Sequence, residues 1–339
     1  MKKILLDPQM PFFKGNMHCH TTVSDGRYTP REIKELYRSR GYHFVAFTDH
    51  EHVVPHPELD EEDFIAITAA EYAIKEFPER STLVDFDMKV CHLNLYAKEC
   101  LNDYSVCYDE KADHFSHGET RKSINRPAEN YARVYGREGV NDLIRRANES
   151  GFFVCYNHPR WSLENYREYS GYEGLWGVEI YNTGANAAGL YEYDINVLDD
   201  MLRDGKRILA SCGDDNHNKE CVGLRESFGA FVMVNAKMLT YSSVVDGLLR
   251  GSFYCSTGPC IYELFVEDGA VHLRCSNAKE ITLSTRGRRS DIAVAEEGNS
   301  LTEASFPLQE SDGYFRIDVI DRCGRRANTQ AYFLDEIWP

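Results

Sequence analysis

Six of the chain's twelve histidines stand in short islands beside carboxylates or at the ends of apolar runs. The islands are His18-Cys19-His20, Thr48-Asp49-His50, Cys91-His92-Leu93, Tyr156-Asn157-His158 and Asp214-Asp215-Asn216-His217. Imidazoles and carboxylates brought together in this way are the donors of a multinuclear site for Mn²⁺, Fe²⁺ or Zn²⁺. On an extended strand both rings of His18-x-His20 point to one face, because side chains repeat every second residue. Asp215-x-His217 repeats that spacing, and Glu71, ending the run Ile65-Ala66-Ile67-Thr68, offers two oxygens able to bridge two ions. Asp25, His50, His92 and His158 complete a set of nine ligands. Any one of these residues alone is more often a hydrogen-bonded side chain at a strand end than a ligand. Their joint occurrence at the ends of successive strands is what points to metal.

A set so dispersed along the chain needs strands that converge. Each island closes a stretch readable as a buried strand: Asn16 to His20, Phe44 to His50, Phe64 to Glu71, Cys91 to Tyr96, Phe152 to His158 and Ile208 to His217. Helical patterns lie between them. Thr29-Pro30 caps a helix with Ile33, Leu36 and Tyr37 on one face. Gly139 to Ser150, Tyr191 to Asp204 and Tyr241 to Leu249 repeat the cadence. Alternation of this kind predicts an α/β domain of parallel strands with helical crossovers, and ligands at strand ends are a barrel enzyme's arrangement. Two polar stretches interrupt it, Lys75 to Lys89 and Lys98 to Arg137, and long inserts between barrel strands are usually site-lining loops. In the second, Arg121 and Arg126, with His114, His117 and Lys122, could meet an anionic substrate or could simply balance Asp109, Glu110 and Asp113. After Ser256-Thr257-Gly258-Pro259 the texture turns to short alternating strands with glycine turns, predicting a small β-sandwich-like domain over residues 256–339 behind a barrel of residues 1–255.

With 38 Lys and Arg against 54 Asp and Glu, the formal charge is −16, which argues against nucleic acid as a partner. No apolar run approaches the ~20 residues of a membrane span. The apolar stretch Ile4-Leu5-Leu6 is too short for a signal region. The eleven cysteines are scattered without a CxxC pair, the pattern of reduced thiols in a cytoplasmic protein. The tail, with His272 as its single histidine, reads as a packing or homo-oligomerisation module.

On these residues the chain resembles the polymerase and histidinol phosphatase (PHP) superfamily over roughly residues 12 to 255. The resemblance is carried by His18-x-His20 with Ser24-Asp25-Gly26, by Thr48-Asp49-His50, by Glu71 with His92, by Asn157-His158-Pro159 and by Asp215-x-His217. It implies a distorted (β/α)7 barrel with two or three divalent ions. It also implies a ligand assignment: His18, His20, Glu71 and Asp215 around one ion, Glu71, His92 and His158 around a second, and Asp25, His50 and His217 around a third. The β-rich tail is similar to the extension of the carbaryl-hydrolase-like (CehA/McbA) branch.

Ions sharing Glu71 are expected to share a water made acidic enough to ionise near neutral pH, giving a hydroxide that attacks phosphorus. The expected activity is hydrolysis of a small phosphorylated metabolite, monoester or diester, with Glu71, Asp215 and His217 at the reacting centre. A carbamate, amide or ester hydrolase and an inactive metal-loaded scaffold are the alternatives. Arg160 could form a bidentate pair with phosphate or a salt bridge on its own loop. Asn182 and Asn218 could orient substrate or satisfy a turn, and Asp49 is a candidate partner for a liganding histidine.

Overall fold

The computed structural model describes residues 2–78, 87–191 and 193–338. Its first ten strands are β1 (Lys3–Leu6), β2 (Phe12–Asn16), β3 (Phe44–Phe47), β4 (Ile65–Lys75), β5 (Val90–Ala97), β6 (Phe152–Tyr156), β7 (Gly177–Asn182), β8 (Leu209–Gly213), β9 (Phe231–Asn235) and β10 (Phe253–Ser256). Eight follow in the tail: β11 (Ile261–Glu267), β12 (Ala270–Ala278), β13 (Glu280–Thr285), β14 (Ser290–Val294), β15 (Leu301–Pro307), β16 (Tyr314–Ile320), β17 (Arg326–Thr329) and β18 (Tyr332–Phe333). The protein is thus a mixed α/β fold rich in sheet.

One large sheet runs in the order β14-β13-β16-β17-β10-β9-β2-β3-β4-β5-β6-β7-β8, with β18 beside β16. The pairs β2–β3, β3–β4, β6–β7 and β7–β8 are parallel, as the strand–helix alternation predicts. The pairs β4–β5 and β5–β6 are antiparallel, against that prediction. A parallel return needs a crossover, usually helical. The chain between β4 and β5 carries no helical periodicity, and residues 79–86 of that stretch lie outside the described residues. At the far end β8 comes back beside β9 and β10 through side-chain bonds in place of a ladder. Cys212 Sγ donates to Phe231 O at 3.2 Å, Cys255 Sγ donates to Ala210 O at 3.4 Å, and Gln330 brackets Ala210 from both sides.

The central strands β3, β5 and β6 are buried along their whole length, as strands covered on both faces are. Phe44, Ile67, Leu93, Leu95, Val154, Val178, Ala210 and Val232 share one core. The helix Pro30–Arg38 begins with a capping box, Thr29 Oγ1 accepting from Glu32 N while Glu32 Oε2 accepts from Thr29 N. It buries Ile33 and Tyr37 one turn apart. The helix Arg137–Glu149 buries Val140, Leu143, Ile144 and Ala147, the i, i+3, i+4, i+7 stripe that holds it against the sheet.

In the tail a four-stranded sheet, β1-β11-β12-β15, faces the end of the large sheet. Leu264, Val271 and Phe306 on one side meet Ile281, Leu283, Phe315 and Ile317 on the other. The N-terminal strand β1 therefore belongs to the tail's layer, pairing antiparallel with β11 and placing Leu6 in that core. Alternation in Ala270–Ala278 and Tyr314–Ile320 made β12 and β16 readable. The strand β17 went unread because it is only 4 residues long, and β14 and β15 because they are mostly exposed and bury too few side chains to set an apolar alternation.

Candidate metal centre

The imidazole pair does not lie inside a ladder. Strand β2 ends at Asn16, and Cys19 makes a single parallel bridge to Asn216, which sets His18 and His20 opposite Asp215 and His217. The two segments are clamped by buried bonds: Asp215 N to His18 O at 2.9 Å, His20 N to Asn216 O at 3.2 Å, and Asp214 N to Asn16 Oδ1 at 2.9 Å. Glu71 and His92 lie within β4 and β5, because β4 runs on past Glu71 to Lys75. The antiparallel register sets Glu71 opposite Asn94 and Ala73 opposite His92, so both side chains leave the same face of the hairpin.

All nine predicted ligands are brought into three overlapping groups, in each of which the donor atoms lie within 4.8 Å of one another. The first is His18, His20, Glu71 and Asp215. His18 Nε2 stands 3.3 Å from both Glu71 Oε1 and Asp215 Oδ1, and 3.3 Å from His20 Nε2. The second is Glu71, His92 and His158, with His92 Nδ1 and His158 Nε2 at 3.0 and 3.2 Å from Glu71 Oε1. The third is His20, Asp25, His50 and His217, in which Asp25 Oδ1 is 3.2 Å from His217 Nε2 and 3.6 Å from His50 Nε2. The geometry adds His20 to the third group, since its Nδ1 turns towards Asp25 while its Nε2 faces Asp215.

This donor set fits divalent cations. His18, His20 and Glu71 are at most 1 % exposed, and His20 Nδ1 is buried without a hydrogen-bond partner. Converging lone pairs left dry and unpaired are expensive unless positive charge sits among them. Without an ion the imidazoles take that part. Burial raises the carboxyl pKa of Glu71, yet His92 and His18 together hold it well below the usual carboxylate range. Burial likewise opposes ionisation of Asp215, and His18 and His20 override it. Burial lowers the pKa of His217, yet its bond to Asp25 and the charges of Asp215 and Asp25 together push it up to about 9, while His50, crowded by burial and by His20, falls well below the ordinary histidine value.

A ring of supporting side chains fixes the ligands. Glu179, 2 % exposed, places Oε1 3.1 Å from His18 Nδ1, while its Oε2 accepts from His158 N and Asn182 Nδ2, each at 3.0 Å. Asn157 Nδ2 donates to Glu71 Oε1 at 2.8 Å. Asp49 accepts from Thr21 and Ser24, so it holds the turn carrying Asp25 and not the ring of His50. Asp214 accepts from Tyr37 and Thr183 side chains and from three successive backbone N–H groups, Phe228 to Ala230. Asp215 and His158 are held at positive φ, 51° and 24°, the kind of backbone strain that gathers at functional sites. Gly213 is required by close approach, since a Cβ there would lie 2.5 Å from His18 Cβ.

The predicted substrate residues fare differently. Asn182 reaches the centre, its Nδ2 also 3.1 Å from Asp215 Oδ2. Asn218, next to His217 in the chain, is buried, with Oδ1 accepting from Ser227 Oγ and Nδ2 without a hydrogen-bond partner. Arg160 is exposed, two residues beyond His158. Arg121 is turned onto the carbonyls of Ser116 and Asp113, and Arg126 lies over the Tyr108 ring towards Glu110, so neither is brought to the metal ligands. The insert does reach the centre through Phe115, stacked on His50 with centroids 5.1 Å apart. Trp161 covers His92 and His158, each at 4.9 Å. Lys219 Nζ, 3.0 Å from Asp25 Oδ2, was missed, as was Glu179. The signal for Glu179 was a lone carboxylate inside the apolar run Gly177-Val178-Glu179-Ile180.

No family model matches the chain, and no curated protein matches it. Among solved structures it is similar to a two-domain protein from Bacteroides vulgatus named as containing a predicted PHP-like metal-dependent phosphoesterase, at 14% identity and TM-score 0.43, covering 97% of this chain and 88% of that one. It is also similar to a protein from Bifidobacterium adolescentis named for metal-dependent phosphoesterase activity, at 19% identity and TM-score 0.39, covering 60% and 88%. A third is an amidohydrolase from Chromobacterium violaceum with bound sulfate, at 14% identity and TM-score 0.36, covering 62% and 89%. Among the described residues no helix is long and apolar enough to cross a membrane.

Proposed function

We propose that the chain is a metal-dependent hydrolase of the PHP kind, acting on a small phosphorylated substrate, monoester or diester. The observation that carries this reading is the convergence of nine nitrogen- and oxygen-bearing side chains into three groups that share Glu71 and His20. The return of β8 against β9 and β10 supports a distorted (β/α)7 barrel for residues 1–255, with residues 256–339 as the accessory domain. The eleven free thiols support a reducing, cytoplasmic setting.

His18, His20, Glu71 and Asp215 would hold one ion, Glu71, His92 and His158 another, and Asp25, His50 and His217, with His20, a third. Mn²⁺, Fe²⁺ and Zn²⁺ all suit these donors. Divalent ions there supply Lewis acidity that polarises a phosphoryl oxygen and lowers the pKa of water. The protein's own part is orientation and exclusion. Glu179 fixes the tautomer of His18, Asn157 and Asn182 hold the carboxylates of Glu71 and Asp215, and Phe115 and Trp161 shield the rings of His50, His92 and His158 from water. Lys219, beside Asp25, would meet a phosphoryl oxygen.

One observation favours a second reading. Arg121 and Arg126 are committed to the insert, leaving fewer guanidinium groups for a dianion, which suits an uncharged carbamate, amide or ester. Release of phosphate and nitrophenol by the Mn²⁺-loaded chain from p-nitrophenyl phosphate, bis(p-nitrophenyl) phosphate and a p-nitrophenyl carboxylic ester separates the two. Turnover of either phosphate, lost in Asp215→Ala, supports the first reading, and turnover of the carboxylic ester alone moves the assignment to the second.

A further inference from the structure

A cavity of about 410 Å³ lies between β7, β8 and the turn that joins β16 to β17. Its inner wall is Ile180, Tyr181 and Cys212. These are the chain neighbours of Glu179, Asn182 and Gly213, which face the metal centre. The β7–β8 ladder shifts register between Glu179 and Tyr181, and this lets one short strand serve both sides: Glu179 and Asn182 touch His18 and Asp215, while Ile180 and Tyr181 line the cavity.

The outer wall carries charge. The guanidinium of Arg326 lies over the Tyr193 ring, 5.0 Å from its centroid, and makes no ion pair among the described residues. Its neighbour Arg325 is paired with Asp321 at 2.7 Å and is exposed at the rim. Asp318, whose charge acts on Tyr193, is paired with Arg316, which also holds Asp199, and accepts from Asn328 Nδ2. Tyr193 Oη accepts from Asn328 Nδ2 at 2.9 Å, so its own O–H remains to donate. An unpaired guanidinium lying over a ring is pre-organised for a carboxylate, sulfonate or phosphate. The walls beside it are tyrosine and isoleucine, and the volume falls in the ~300–1,000 Å³ range of small-molecule sites.

We infer that this cavity binds a small organic anion, an acidic group on a flat apolar body, and that its occupancy shifts metal affinity through the β7 register break. The coupling rests on the metal-centre reading, whereas the binding does not.

The test uses 8-anilinonaphthalene-1-sulfonate as probe on the full chain. Cys323 lines the cavity mouth and is exposed, and Cys221, also exposed, lies outside the lining and serves as an internal reference. Saturating probe is expected to slow alkylation of Cys323 by N-ethylmaleimide while leaving Cys221 unchanged. Arg326→Gln is expected to weaken the protecting probe ~10-fold or more, the loss of a hydrogen bond to a charged group, with Arg326→Lys recovering part of it. Equal protection of both thiols, protection of neither, or full protection in Arg326→Gln overturns the site. The probe is also expected to change Mn²⁺ affinity in the wild-type chain and not in Arg326→Gln, and an unchanged affinity overturns the coupling. If the chain without probe bound no Mn²⁺ at all, the metal reading would fail instead, and the thiol protection would still judge the cavity.

Discussion

Replacing Glu179 by Gln leaves the shape of the side chain and changes only which atoms can accept. Both oxygens of Glu179 are occupied: Oε1 by His18 Nδ1 at 3.1 Å, Oε2 by His158 N and Asn182 Nδ2 at 3.0 Å each. A carboxylate at this position keeps the proton of His18 on Nδ1 and leaves Nε2 as the lone pair that faces Glu71 and Asp215. A glutamine has two ways to sit. With its NH₂ towards His18 the tautomer is reversed and Nε2 can no longer ligate. With its NH₂ towards His158 N and Asn182, donors meet donors in a site 2 % exposed. Loss of such a supporting partner typically lowers metal affinity 10- to 100-fold, about 1.4–2.8 kcal/mol. The assay is equilibrium Mn²⁺ binding to wild type and Glu179→Gln at pH 7.5, with circular dichroism to verify the fold. If the variant folded normally and bound Mn²⁺ within about 3-fold of wild type, the orientation of His18 would not depend on Glu179 and this reasoning would be refuted.

Arg133 joins the insert to β4 through a buried ion pair with Glu51 at 2.5 Å and a bond to Ala73 O. Arg133→Met should destabilise the chain by about 3–5 kcal/mol in denaturant unfolding, because it leaves a buried carboxylate uncompensated. Burial already raises the pKa of Glu51, so the deficit should shrink towards pH 5 as Glu51 takes a proton, and a pH-independent deficit would count against this cause. In the metal-free chain the His217 ring should titrate near 9, and its midpoint should fall towards the ordinary histidine range in Asp25→Asn, as read by ring-proton NMR. A histidine pKa raised on folding adds stability that is complete below about 6.5 and is lost as pH rises through about 9. Since only the neutral ring ligates, Mn²⁺ loading of the third group should strengthen between pH 7 and 9.5, and the opposite trend would contradict the assignment. Gly213→Ala should lose about 1–3 kcal/mol and weaken Mn²⁺ binding, because the new methyl meets His18 Cβ at 2.5 Å. Unchanged melting and metal content would show that the approach relaxes freely.

Eight of the nine candidate ligands were legible because they stand in short polar islands or at the end of an apolar run, and their joint occurrence is what points to metal; Asp25 stands apart, in Ser24-Asp25-Gly26. Helices with caps and stripes were legible too, Tyr241–Leu249 to the residue. What the sequence hid is relational. Nothing in Val90–Ala97 says that it runs antiparallel to β4, because direction is decided by the connection and not by the strand. Likewise Lys3–Leu6 reads as a short apolar opening, and only its pairing with β11 assigns it to the tail. Glu179 and Lys219 were missed because their partners are distant in sequence, and a lone carboxylate or lysine has no period. Arg121 and Arg126 were drawn to the site by charge alone, and the structure spends them on carbonyls and an aromatic ring within their own insert.

Sharing of Glu71 between metal ions is the feature on which the proposed centre depends. The most direct measurement is the number of Mn²⁺ bound per chain, by equilibrium dialysis and elemental analysis, for wild type, Glu71→Ala and His92→Ala. More than one ion per wild-type chain is expected, one fewer in His92→Ala, and collapse of binding in Glu71→Ala because the first two groups lose their common carboxylate. A wild-type chain that bound at most one ion, or a Glu71→Ala chain with its full complement, would contradict that sharing.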